Sequence, residues 1–147
     1  MKHLLTKHET EIPLESDLEG SLAAILRLQR VYNISTSQIY AGNYSGYIGP
    51  TLSPLDAYDI GRRAFVDGML KQSVDWLETA RMQMQRARMT SQEVGSKPAY
   101  SAMELSSVLS LLGRVYIWVC AIFSLAFERV ALYNIASLEF SIVWYLH

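Results

Sequence analysis

Apolar residues recur at three- and four-residue intervals along most of this chain, a spacing that one face of an α-helix produces and a strand does not. Leu18, Leu22, Ile25, Leu26 and Tyr32 form one such set. Leu55, Tyr58, Ile60, Ala64 and Phe65 form a second. Leu70, Val74, Leu77, Ala80 and Met84 form a third, with Trp76 beside it. Leu105, Val108, Leu109, Leu112, Val115 and Tyr116 form a fourth. No segment alternates apolar and polar residues for long enough to read as a half-buried strand. The fold class expected is all-α.

Start and stop signals divide these stretches. Ser16 and Glu19 stand at capping-box spacing, as do Ser101 and Glu104. Ser53-Pro54-x-Asp56 places a proline at the first helical position and an acid at the third. Asn33 ends the first helix, and Gly68 sits where a left-handed residue is wanted to end a later one. A short helical stretch, STSQIYAG, stops at Gly42. Residues 42–52 (GNYSGYIGPTL) and 90–99 (TSQEVGSKPA) read as loops.

Charge and the rare residues exclude whole classes of function. Lys and Arg total 13 against 14 Asp and Glu, a net charge of −1, which argues against bulk nucleic-acid binding. The single Cys120 closes no internal disulfide and builds no thiolate zinc cage. The three histidines, His3, His8 and His147, lie at the two ends, so neither an iron site of two His and a carboxylate nor a Ser-His-Asp arrangement is expected. Arg81, Arg86 and Arg88 read as a solvated helix end, and Met82, Met84 and Met89 as a soft packing face. Asn33-Ile-Ser35 and Asn43-Tyr-Ser45 have the form of N-glycosylation acceptors.

The two ends stand apart from the rest. MKHLLTKHETEIP contains only Leu4 and Leu5 as adjacent apolar residues, so no signal peptide is visible in it. Val115 to Phe127 is a run of 13 residues without charge, followed by Glu128-Arg129 and further apolar sequence. Thirteen residues fall short of the ~20 that span a bilayer, so a buried helix is the first reading and a membrane anchor through residues 115–146 an alternative. Together the ends suggest a truncated gene product.

A repeat signal lies in the middle. Counting from Gly61 in Ile60-Gly61-x-x-Ala64-Phe65, Ser73, Leu77 and Ala80 fall where a tetratricopeptide-like hairpin sets small, large and small packing residues. Leu112-Gly113-Arg114-Val115-Tyr116 resembles a second opening, 52 residues after the first glycine. Ordinary amphipathic helices with a glycine in a useful place explain the same pattern. Beyond Tyr116 the second repeat gives way to the apolar run.

Asp17 to Ile34, DLEGSLAAILRLQRVYNI, resembles the end of the N-terminal region of collagen prolyl 4-hydroxylase alpha subunits. Gly42-Asn43 and Leu52-Ser53 resemble the family's link to its peptide-substrate-binding domain. Asp59 to Phe65 followed by Trp76-Leu77-Glu78-x-Ala80 resembles the first repeat of that domain, and Leu112 to Tyr116 the opening of the next. The resemblance covers about residues 9–116. It implies three parts: residues 1–42 as the end of the assembly region, 43–116 as a partial tetratricopeptide-like peptide-binding domain, and 117–147 as a divergent hydrophobic segment.

The same resemblance implies an endoplasmic reticulum lumenal protein that partners protein disulfide isomerase, forms homodimers through its N-terminal helix and binds proline-rich, collagen-like peptides. In the family, Fe(II), 2-oxoglutarate and ascorbate serve a catalytic domain that hydroxylates proline. That domain is not seen in this sequence, so the chain is expected to need no cofactor and to be inactive alone. Tyrosine faces stack on the rigid pyrrolidine rings of polyproline II chains at little entropic cost. Tyr58, Phe65, Tyr100 and Tyr116 are the candidate peptide-binding residues; Phe65 and Tyr116 read first as core, and Tyr58 and Tyr100 as exposed. The family's groove positions fall here on Leu109, Ser110 and Gly113. A generic helical scaffold for a partner protein is the competing function.

Overall fold

A computed structural model describes residues 14–44, 46–93, 95 and 100–145, with side chains to residue 127. Five helices occur in this part: α1 (Glu15–Tyr32), α2 (Thr36–Tyr40), α3 (Pro54–Val66), α4 (Leu70–Glu93) and α5 (Ala102–Tyr145). Two two-residue strands, β1 (Asn43–Tyr44) and β2 (Tyr47–Ile48), pair antiparallel within the loop between α2 and α3. The protein is all-α; the small hairpin is the one departure from the expected loop, and its strands are too short to alternate legibly.

Capping starts α3 and α5 where the sequence placed them, while α1 starts earlier and α4 runs on into residues 90–93, which read as loop. Ser53 Oγ accepts from the Asp56 amide at 3.1 Å, and the Asp56 carboxylate accepts from the Ser53 amide at 2.7 Å. Ser101 and Glu104 exchange the same pair of bonds, and these amide and hydroxyl donors hold the Glu104 carboxyl below its usual range. Asn33 closes α1 in the left-handed conformation at φ 50°. Gly68, at φ 73°, follows α3. Ser16, however, caps nothing. The helix begins two positions earlier, because the Asp17 carboxylate accepts from the Leu14 amide at 2.8 Å. Glu19 is thereby released for a longer-range partner.

The core forms where α1 lies across the α3–α4 hairpin. Leu22 and Leu26 of α1 pack with Ala57, Ile60 and Ala64 of α3, with Trp76, Ala80 and Met84 of α4, and with Val108 of α5. A second cluster joins Leu77 to Leu111, Leu112 and Val115 of α5. Several stripe assignments shift by one position. Trp76 is fully buried at the centre rather than beside the stripe, while Leu18, Tyr32, Leu109 and Tyr116 are exposed and Leu111 is buried. Helix α4 continues to Glu93, so Arg86 and Arg88 stand within it and not at its end. Of the three methionines grouped by sequence, Met84 is buried and Met82 and Met89 are exposed.

The glycine at the start of the repeat pattern has a direct structural role. A Cβ at Gly61 would stand 2.8 Å from Leu77 Cγ, so α3 and α4 approach as closely as they do only because that atom is missing. Ser73 Oγ, fully buried, donates to the Gly61 carbonyl at 2.9 Å. Gly113 differs: it is exposed, and no atom lies within 4 Å of an added Cβ. Helix α5 runs through it without a turn for 44 residues.

Candidate functional site

Two polar devices fix α1 on the hairpin. Glu19 accepts from Arg62 Nη2 at 2.7 Å and from Arg63 Nη1 at 2.9 Å. These bonds, Arg62 first, hold the Glu19 carboxyl below its usual range. Inside the core, Trp76 Nε1 donates to Gln29 Oε1 at 2.8 Å, and Gln29 Nε2 donates to Thr36 Oγ1 at 2.9 Å. A buried glutamine between a buried indole and the first residue of α2 couples α4, α1 and α2 in one network.

That coupling sets the stage for a groove beside α2. Ile25, Leu28 and Tyr32 of α1, Ile39 of α2 and the loop residues Tyr44, Tyr47 and Pro50 line an apolar depression of about 570 Å³. Tyr44 and Tyr47 face one another across the two-stranded ladder. The Tyr47 ring lies over Gly49, where an added Cβ would come within 2.9 Å of it. The loop itself is locked. Gly42 is left-handed at φ 66°, and a Cβ there would meet the Gly49 and Pro50 carbonyls at 2.6 Å. The Gly49 amide donates to the Gly42 carbonyl at 2.7 Å, and the Leu52 amide to the Tyr40 carbonyl at 2.9 Å. Three exposed tyrosine rings are therefore presented around an apolar floor by a backbone with little freedom.

The four aromatic residues singled out from sequence do not share one surface. Tyr58 and Phe65 stand together on α3 and line a groove of about 610 Å³ with Arg62 and with Ser107, Leu111 and Arg114 of α5. The Arg114 guanidinium covers the Phe65 ring, 5.8 Å from its centre. Tyr116 lies on another side of α5 against Leu70 and Val74. Its hydroxyl donates to Glu78 Oε1 at 3.2 Å, and partial burial together with that carboxylate pushes the phenol up. Tyr100, half-buried, packs against the first core cluster. Sequence reading missed Tyr32, Tyr44 and Tyr47. The signal was present in GNYSGYIGP, where Gly and Pro flank two tyrosines, but only the hairpin brings those rings beside α1.

Of the candidate glycosylation residues, Asn33 is exposed, and Ser35 Oγ is occupied as the cap of α2. Asn43 is exposed on β1, and Ser45 lies outside the described residues. The histidines lie outside them as well. Among the described residues no three His, Cys, Asp or Glu side chains are grouped to hold a metal ion. The donor set there does not fit an iron centre.

Comparison with known proteins bears on the same region. Residues 1–46 match the family model described as the prolyl 4-hydroxylase alpha-subunit N-terminal region. The chain is 30% identical over 87 residues to prolyl 4-hydroxylase subunit alpha-1 of Rattus norvegicus, a match covering 58% of this chain and 16% of the rat protein. It is 28% identical over 93 residues to subunit alpha-3 of Mus musculus, covering 55% and 17%. With subunit alpha-2 of Caenorhabditis elegans it shares 31% identity over 75 residues, covering 50% and 14%. The matched part thus amounts to about one sixth of each relative's length. The stretch that matches the family model takes in α1, α2 and the first strand of the tyrosine hairpin.

Proposed function

We propose that this chain is a non-catalytic helical module of the prolyl 4-hydroxylase alpha type that binds extended proline-rich peptides and takes part in subunit assembly. The observation that carries it is the exposed Tyr32, Tyr44 and Tyr47 set around an apolar groove. A polyproline II chain has no internal hydrogen bonds and keeps its shape unbound, so stacking on fixed tyrosine rings costs little ordering entropy. The Tyr58–Phe65 groove is the weaker receptor, because Arg114 already covers the Phe65 ring. Assembly is supported by the start of α1, where the N-cap Leu14 and Leu18 are exposed on one side and suit a second copy. Protein disulfide isomerase as a partner and the endoplasmic reticulum lumen as location come from the family resemblance. Iron, 2-oxoglutarate and ascorbate belong, in this reading, to a catalytic domain outside these residues.

Calorimetric titration with a (Pro-Pro-Gly)n peptide tests the binding. Saturable binding is expected, weakened about tenfold or more when Y44A and Y47A together remove two stacking faces. Binding lost instead in Y58A/F65A would move the peptide to the groove between α3 and α5. No saturation at millimolar peptide would favour the generic protein-interaction scaffold.

A further inference from the structure

Helix α5 outruns the protein it packs against. Its inner face, Leu105, Val108, Leu111, Leu112, Val115 and Val119, is spent on the two core clusters. At Val119 to Phe123 it draws level with Leu70, the first residue of α4. Past that level no described element accompanies it. Before and at that level Ile117, Trp118, Ile122 and Phe123 are exposed, and past it Leu125 and Phe127, between 48% and 76%. At about 100° per residue these six fall on every side of the helix. The 18-residue window of mean hydropathy 2.0 within Ala102–Phe127 is only 22% buried, unlike the core helix of a water-soluble domain.

The distribution around the helix identifies the occupant. A helix that docks on a protein partner or a second copy keeps one apolar stripe and a polar back. A helix apolar on all sides and uncovered matches a medium that is itself apolar on all sides. We propose that α5 beyond Val119 embeds in the hydrocarbon of a lipid bilayer, with the helical core held at the membrane surface. Trp118 and Tyr116, amphipathic rings where α5 leaves the core, suit the headgroup layer. Arg114 stays on the aqueous side, against Phe65. The uncharged stretch beyond Val119, to Phe127, is about 12 Å of helix, so it enters less than half of the hydrocarbon before Glu128 and Arg129.

Flotation of the full chain with dioleoylphosphatidylcholine vesicles tests this, together with quenching by brominated phosphatidylcholine in a W144F variant. In that variant Trp118 reports the bilayer, because Trp76 is sealed in the core. The expected result is co-flotation with strong quenching. The triple variant I122D/F123D/L125D changes only exposed side chains, so it keeps its helical circular dichroism, while its vesicle-bound fraction falls by about tenfold or more. A discrete dimer or larger oligomer that stays in the aqueous fraction with Trp118 unquenched would overturn the proposal. So would a triple variant that floats as the unaltered chain does.

Discussion

At the scale of single residues, Gln29 carries more than its polarity suggests. It stands on the buried side of α1, satisfies the indole of the largest buried side chain and reaches Thr36 at the start of α2. Among the described residues no buried side-chain nitrogen or oxygen lacks a hydrogen-bond partner. Removing this one creates such an atom. Q29L leaves the Trp76 N–H buried and unpaired, and a loss of about 1–3 kcal/mol is expected in urea unfolding. A loss below about half a kcal/mol would mean that water reaches the indole. Neither member of the pair was legible as such. Trp76 and Gln29 are 47 residues apart, and glutamine in an amphipathic helix reads as surface.

At the scale of elements, helix limits were readable wherever the deciding groups are neighbours in sequence. Ser53 and Asp56 cap α3 through two bonds between residues three apart, and nothing distant competes for them. The same spacing misled at Ser16 and Glu19, because Glu19 gains two charge-assisted bonds from α3 that a capping box does not offer. The two sites make a paired prediction for thermal unfolding. S53A is expected to cost about 1 kcal/mol, and S16A to lie within about 0.5 kcal/mol of the unaltered chain. Equal losses at both would restore Ser16 as a cap. The strands β1 and β2 were beyond reach for another reason: two residues per strand contain no period, and Gly42 and Gly49 shape the loop through contacts with one another.

At the scale of the whole molecule, the seat of α1 on the hairpin depends on pH through Glu19. Its folded carboxyl is held below the ordinary glutamate value of 4.5 by Arg62 and Arg63. The stability this supplies is fully present above the ordinary value and is lost as pH falls through the depressed one. Thermal midpoints followed by circular dichroism from about pH 6 to about pH 3 should therefore fall more steeply for the unaltered chain than for E19Q. Parallel curves would show that Glu19 titrates alike in the folded and unfolded states. The tyrosine groove belongs to this scale too, since its walls come from α1, α2 and the hairpin, and its posture rests on the Gln29 network joining the first two to α4.

Legible in the sequence alone were the helices, their caps at Asn33, Ser53, Gly68 and Ser101, and the likeness to the alpha-subunit N-terminal region. Each depends on residues within a turn or two of one another, or on a contiguous motif. Only the tertiary structure decided that Trp76 is central, that Tyr58 and Phe65 part company from Tyr100 and Tyr116, and that Tyr32, Tyr44 and Tyr47 gather at one groove. It also decided that the apolar run after Tyr116 is largely uncovered, because α4 begins level with Val119 to Phe123 and no described element accompanies the helix past that level. Periodicity records which face of a helix is apolar, but where the neighbouring helix ends is set by packing between distant segments.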